Sequence, residues 1–191
     1  MLPTAPQIAA AVYGAWRLLR FDAAGVHLFE SGPLAFWQSF FAAVIVLPGY
    51  AVLVGLHLAA TPPAADWVST GLLHALTYVI TWTAFPVAAY YLSTSLNCRD
   101  RWMDFVIALN WSKVWQMAIY LPLALIAASG LAGQAGGGFF SLVGLVATLV
   151  YQWFVTRTAL QIAGPAAASL TFVDLLLGFV VTMMADAALA V

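Results

Sequence analysis

Five long apolar stretches, at about residues 34–59, 67–93, 105–130, 138–156 and 166–190, constrain this chain more than any motif in it. Each runs for roughly 20 residues or more, enough at about 1.5 Å per helical residue to cross about 30 Å of hydrocarbon with some tilt. No water pairs with backbone groups at that depth, and a helix satisfies its own. The expected class is all-α: a polytopic transmembrane helix bundle of five spans. Composition agrees, with 64% hydrophobic and 7% charged residues among 191 and a mean hydropathy of +0.98, against roughly 25% charged residues in soluble domains.

The connectors divide the chain into an N-terminal segment, 1–33, and the bundle, 34–191. Met1-Leu2-Pro3-Thr4-Ala5-Pro6 lacks the basic-then-apolar order of a secretory signal, so the N-terminus is expected to be mature. Within residues 7–21, Ile8, Val12, Ala15 or Trp16, and Leu19 recur at spacings of three and four, while Arg17 and Arg20 share another side. That pattern predicts an amphipathic helix, either lying at the membrane interface or packed under the bundle. Residues 21–33 form a connector in which Ser31 could cap the first span. Pro48-Gly49 is expected to kink that span and Pro86 to interrupt the second. Residues 61–66 make a short turn, and Gly130–Gly138 a longer one that contains the helix-packing spacing of Gly133 and Gly137 outside any helix. The charged hinge Asn97–Asp104 joins spans two and three; its single cysteine, Cys98, forms no intramolecular disulfide and is expected as a free thiol in a loop.

The cations set an orientation. Arg17 and Arg20 precede span one, Arg99 and Arg101 separate spans two and three, and Arg157 follows span four, whereas residues 60–67 and 130–137 contain no Lys or Arg. The positive-inside rule then predicts a cytoplasmic N-terminus and an outside C-terminus. Trp16, Trp37, Trp102 and Trp153 fall at the expected inner interface and Trp67 at the outer one. This layout over residues 34–191 resembles that of the Yip-type five-span membrane proteins and their bacterial relatives. The Asp-Leu-Tyr-Gly-Pro signature of the eukaryotic members is absent, and Arg20-Phe21-Asp22-Ala23-Ala24-Gly25 stands in the corresponding region, so no functional residue is carried over. The resemblance and the Ala-rich, Lys-poor composition together imply a bacterial inner-membrane protein.

Polar residues at bilayer depth are costly and are expected to face the bundle interior. Asn110, Lys113, Gln116 and Tyr120 follow at spacings of three, three and four in span three, and Thr171, Asp174, Gly178 and Thr182 in span five. Lys113 and Asp174 each lie about nine residues into spans that run the same way, roughly 13 Å deep. They are expected to face one another, with Asn110 and Gln116 nearby, as an intramembrane polar centre. Its readings are a proton or ion relay, a structural pair that fixes helix register, or a Lys113 that reaches the interface alone.

His57, His74 and Asp66 surround one short loop, where they could ligate a metal or haem or serve as interfacial histidines. Asp100 and Asp104 could pair for headgroup chemistry, or answer a helix dipole and their arginine neighbours. No catalytic, phosphate-binding or cofactor motif occurs, and no basic run suits nucleic acid. The expected partners are the lipid bilayer and other membrane proteins or a second copy. The first functional expectation is a non-enzymatic scaffold, assembly factor or accessory subunit; the second is a small oligomeric transporter or channel centred on Lys113 and Asp174; the third is a lipid-headgroup enzyme.

Overall fold

The structure, a computed structural model, describes residues 2–130 and 133–189. Among these residues the helices are α1 Ala5–Leu19, α2 Pro33–Ser39, α3 Phe41–Ala60, α4 Trp67–Ser95, α5 Trp102–Ala128, α6 Gly133–Leu160 and α7 Gly164–Leu189, with 3-10 turns at Ala23–Leu28 and Arg99–Arg101. The expected end of span five at 190 lies outside the described residues.

Local chemistry marks the helix ends. Gln7 Oε1 accepts the Thr4 backbone N–H at 2.7 Å ahead of α1. Asp66 Oδ1 accepts the Val68 and Ser69 N–H groups at 2.9 and 3.0 Å at the start of α4, satisfying donors that have no partner within the helix. The Ser69 hydroxyl, donating to the other oxygen at 2.7 Å, and these N–H groups hold the Asp66 carboxyl below the usual carboxylate range. Helices α1, α4 and α6 are followed by residues in the left-handed region, Phe21 (φ 58°), Asn97 (φ 54°) and Gln161 (φ 53°). In each case the next N–H returns to the last turn: Asp22 to Arg17, Cys98 to Ser93 and Ile162 to Arg157, as a left-handed C-terminal cap requires.

Four segments are long and apolar enough to cross a membrane: Pro33–Ala60, comprising α2 and α3, then Trp67–Ser95, Ala135–Leu160 and Gly164–Leu189. The fifth expected span, α5, is not among them, because Asn110, Ser112, Lys113 and Gln116 interrupt its apolar run. Those residues do not need a lipid-compatible coat. The first half of α5, Phe105 through Ser112, is buried on every side, with α6, α3, α1 and α2 packed around the helix. A core cluster lies here, at the basic end of the bundle, where Phe85 of α4, Phe105 and Leu109 of α5, and Tyr151 and Val155 of α6 come together.

Two local expectations change, and the first span carries a break of its own. The break in the first span falls at Phe40, between α2 and α3; Pro48 and Gly49 lie inside a continuous α3. The fully buried Ser39 accounts for the break, donating its hydroxyl to Phe36 O at 2.7 Å where the chain turns onto α5. Pro86 likewise sits inside a continuous α4, and its carbonyl takes the Trp102 indole N–H at 2.9 Å. The turn expected over Gly130–Gly138 is shorter, since α6 starts at Gly133; residues 131 and 132 lie outside the described residues. Gly137 is therefore helical, and a Cβ there would stand 3.2 Å from Ala127 O of α5.

Helix α1 packs against α5 and α6. The Trp115 indole N–H donates to Val12 O at 2.9 Å and the Tyr151 hydroxyl to Ala15 O at 2.7 Å. Its buried stripe is Ala11, Ala15 and Leu18, one position before the expected Leu19. Arg17 turns back to Asp22, Nε to Oδ2 at 2.6 Å, and this bond and the Ala24 N–H hold the Asp22 carboxyl below its usual range.

Candidate polar centre within the bundle

Helices α3 to α7 all contribute to one cavity of about 300 Å³, through Tyr50 of α3, Trp82 of α4, Lys113 and Gln116 of α5, Thr148 of α6 and Asp174 of α7. Its size is at the lower end of the roughly 300–1,000 Å³ of small-molecule sites. The elements converge here because α5 crosses the middle of the bundle and turns the face of Lys113, Met117 and Tyr120 toward the others. Residues 113, 117 and 120 stay within about 60° of one another at 3.6 residues per turn.

Four of the hydroxyls around the cavity are bound to backbone. Thr81 donates to Thr77 O at 2.8 Å and Thr148 to Gly144 O at 3.0 Å. Tyr50 donates to His74 O at 3.2 Å and Tyr78 to Ala43 O at 2.6 Å, with the two rings 4.6 Å apart. These bonds stitch α3 to α4. Beside the Tyr120 hydroxyl, the remaining polarity belongs to three side chains. Lys113 Nζ lies 4.4 Å from the centroid of the Trp82 ring, a cation–π geometry. Asp174 Oδ2 accepts from Gln152 Nε2 at 2.6 Å. Gln116 Nε2 is buried without a hydrogen-bond partner.

Lys113 and Asp174 thus share one cavity and act on each other electrostatically, yet among the described residues no carboxylate oxygen lies within 4.0 Å of Nζ. Each charge is instead held by a neutral neighbour on another helix. A carboxyl and an amine that share a cavity without touching can each take up or release a proton there.

Asn110 does not belong to this centre. It is fully buried and its Nδ2 donates to Ser39 Oγ at 2.9 Å. On a helix of 3.6 residues per turn Asn110 stands within about 60° of Lys113 and so shares its face, but it lies one turn nearer the basic end, about 4.5 Å along the axis, where it meets α2 instead of the cavity. Thr171 is also outside the cavity, donating to Ala167 O at 3.0 Å on the side where α7 meets α6.

At the other end of the bundle, the carboxylate beside His57 is Asp186 of α7, with Nε2 and Oδ1 3.4 Å apart. Asp66 is occupied as the α4 cap. His74 Nε2 is buried without a hydrogen bond. Among the described residues no three His, Cys, Asp or Glu side chains are grouped as metal ligands.

Asp100 and Asp104 do not converge as a carboxylate pair. Asp104 lines a polar cavity of about 310 Å³ at the basic end with Arg101, His27 and Glu30, whereas Asp100 is 78% exposed beside Arg101. Cys98 is buried, and burial pushes its thiol up from the ordinary value.

Trp82, Tyr50 and Tyr78 are the members of the centre that charge and spacing along single spans leave out. Tyr78 and Trp82 are four apart on α4, and Tyr50 follows Pro48-Gly49 directly; helical spacing continued through aromatics as well as polar residues would have found the α4 pair. Compared with protein-family models, curated proteins and solved structures, the chain finds no match.

Proposed function

We propose that this protein crosses the bilayer five times, the four apolar segments shielding α5 as the fifth crossing, and that it is a small transporter working through Lys113, Gln116 and Asp174. The observation that carries this reading is the cavity itself: five helices meet around an amine and a carboxyl that make no contact with each other. A structural pair that only fixes register would close into an ion pair, because leaving two charges apart at this depth forgoes the attraction that offsets their desolvation. The N-terminus and the ends bearing Arg17, Arg99, Arg101 and Arg157 face the cytoplasm of a bacterial inner membrane, and the C-terminus faces out. The layout is the Yip-type one.

The test is flux in liposomes. Lys113→Met abolishes movement of the solute while the protein stays folded by thermal melting; undiminished flux would refute the assignment. The second reading, a scaffold or accessory subunit working by contact, draws support from the lipid-facing side chains of α3 and α4, where Leu47, Val52, Leu72 and Leu76 are exposed. It predicts that other polypeptides are recovered stoichiometrically by native mass spectrometry after gentle extraction. It also predicts that Lys113→Met weakens that recovery and that neutralising Asp174 together with Lys113 restores it.

A further inference from the structure

The polar cavity holds donors that nothing in the chain satisfies. Gln116 Nε2 is buried without a hydrogen bond. Lys113 Nζ, 4.4 Å from the centroid of the Trp82 ring, has no acceptor among the described residues. The two lie three residues apart on α5 and so face the same way. On the α7 side, Asp174 Oδ2 takes the Gln152 amide N–H at 2.6 Å, and Oδ1 has no hydrogen bond among the described residues. Val46, Trp82, Met117 and the rings of Tyr50, Tyr78 and Tyr120 surround these groups with apolar surface. The Tyr50 and Tyr78 rings, 4.6 Å apart and each tied to a backbone carbonyl across α3 and α4, stand between the cavity and the groove beyond them. A ligand therefore has only the cavity's own volume of about 300 Å³, a size that suits a small molecule.

From these features we infer that the transported substrate is a small monocarboxylic acid with an apolar or aromatic body, held as its carboxylate by Lys113 and Gln116 and carried together with one proton. This rests on the transport reading above. A carboxylate supplies two acceptor oxygens and one negative charge, matching one ammonium and one amide. A dicarboxylate would bring a second charge to a wall on which Lys113 is the one basic side chain. An inorganic anion would leave the ring surfaces unused. A cationic solute would find the Trp82 face already taken by Lys113.

The proton follows from charge balance. Lys113 and Asp174 sum to zero charge as amine and carboxylic acid, and equally as ammonium and carboxylate. A carboxylate arriving alone would leave a net charge at bilayer depth, which is costly, whereas the acid leaves none. From the uncharged pair, the acid's O–H bond breaks and its proton forms a new N–H bond on Lys113 Nζ. From the charged pair, the proton goes to Asp174 Oδ1 instead. Both routes end in one state, the ligand carboxylate on the Lys113 ammonium with a protonated Asp174 on the other wall. The separation of the pair makes room for it, since no carboxylate oxygen lies within 4.0 Å of Nζ. The other titratable groups on the wall are the phenols of Tyr50 on α3, Tyr78 on α4 and Tyr120 on α5, which ordinarily lose a proton only at about pH 10. Helix α6 brings Thr148 and Gln152, which do not titrate.

The test uses the full chain in phosphatidylcholine nanodiscs with benzoate as probe, titrated calorimetrically in two buffers of different ionisation enthalpy, with empty nanodiscs as the blank. Saturable binding is expected, with one proton taken up per benzoate and therefore about a tenfold loss of affinity for each unit that the pH rises above neutrality. Lys113→Met is expected to weaken binding at least tenfold and Gln116→Leu several-fold. Asp174→Asn, which fixes the uncharged form, is expected to bind benzoate as tightly as wild type or more tightly, a result that misfolding does not produce. Benzamide, which has the same ring and no charge, is expected not to compete. Absence of saturable binding, binding without proton uptake, equal binding in Lys113→Met, loss of binding in Asp174→Asn or equal competition by benzamide overturns the inference. Vesicle assays separate it from the transport reading. Lys113-dependent flux of a small inorganic ion without benzoate binding overturns the inference and leaves transport standing. Binding as expected, with benzoate entering vesicles of wild type and Lys113→Met at the same rate, supports the site and removes transport.

Discussion

Replacing Asn110 by leucine should leave the protein as stable as before or more stable, although it deletes a fully buried hydrogen bond. The bond in question runs from Asn110 Nδ2 to Ser39 Oγ at 2.9 Å, and it leaves Asn110 Oδ1 buried with no partner. One such bond contributes about 1 kcal/mol net, while an unsatisfied buried acceptor costs about 1–3 kcal/mol. Leucine, with the same branched skeleton of four side-chain heavy atoms though bulkier methyls, removes both and adds a few tenths of a kcal/mol of helix propensity. Ser39 is not orphaned, because its hydroxyl still donates to Phe36 O at 2.7 Å. The balance is a change of roughly 0 to +2 kcal/mol in favour of N110L. The reverse deletion has the opposite sign: Ser39→Ala strips Nδ2 of its acceptor and should cost about 1–3 kcal/mol. Combining the two should recover most of that loss, since N110L leaves nothing in need of Ser39. Thermal or denaturant unfolding of the four proteins in one detergent measures the cycle. A loss of more than about 1 kcal/mol in N110L would refute the reasoning, and would return Asn110 to the polar centre from which its geometry removes it.

Three further outcomes follow from features away from the cavity. Gln161 holds a left-handed conformation after α6 at φ 53°, which costs a side chain about 1–2 kcal/mol and glycine far less; Gln161→Gly should raise the melting temperature by roughly 2–4 °C per kcal/mol recovered. A Cβ at Gly25 would stand 2.5 Å from the carbonyl oxygen of Gly14, so Gly25→Ala should loosen α1 from the turn at a cost of about 1–3 kcal/mol, read as faster proteolysis of the first 20 residues. The Asp22 carboxyl is held below its unfolded value by the Arg17 hydrogen bond. Its contribution is therefore present above the unfolded pKa of about 3.9 and lost as pH falls through the lower folded value. Melting at pH 7 and pH 3 should show a smaller acid loss in Asp22→Asn than in wild type.

What the sequence discloses and what it hides divide along physical lines. The positions of four of the long helices follow from hydrophobic length, and α4 begins after Asp66 because an aspartate ahead of a charge-free run is a strong cap. The break at Phe40 is different in kind: it depends on Ser39 and on contact with α5, more than 60 residues away in the chain. Lys113, Gln116 and Asp174 stand out as polar residues in apolar runs, and one cavity gathers them. Their partners do not stand out. Trp82 reads as an ordinary apolar residue until Lys113 is placed over it, and Gln152 becomes informative only when α6 brings it to Asp174. The docking of α1 is hidden for the same reason, because it rests on Trp115 and Tyr151 reaching backbone carbonyls that any sequence would offer.

The central claim is that Lys113, Gln116 and Asp174 form a centre reachable by charged solutes. Cysteine accessibility tests it most directly. In a Cys98→Ser background, single cysteines at Thr81 and Gly178, both on the cavity wall, are exposed in liposomes to a charged methanethiosulfonate that does not cross lipid. A cysteine at the exposed Ser31 serves as the reactive control. The account predicts that both cavity cysteines are modified and that Lys113→Glu changes the relative rates of the cationic and anionic reagents. Cavity cysteines that stay unmodified by either reagent, while the Ser31 position reacts fully, would contradict it.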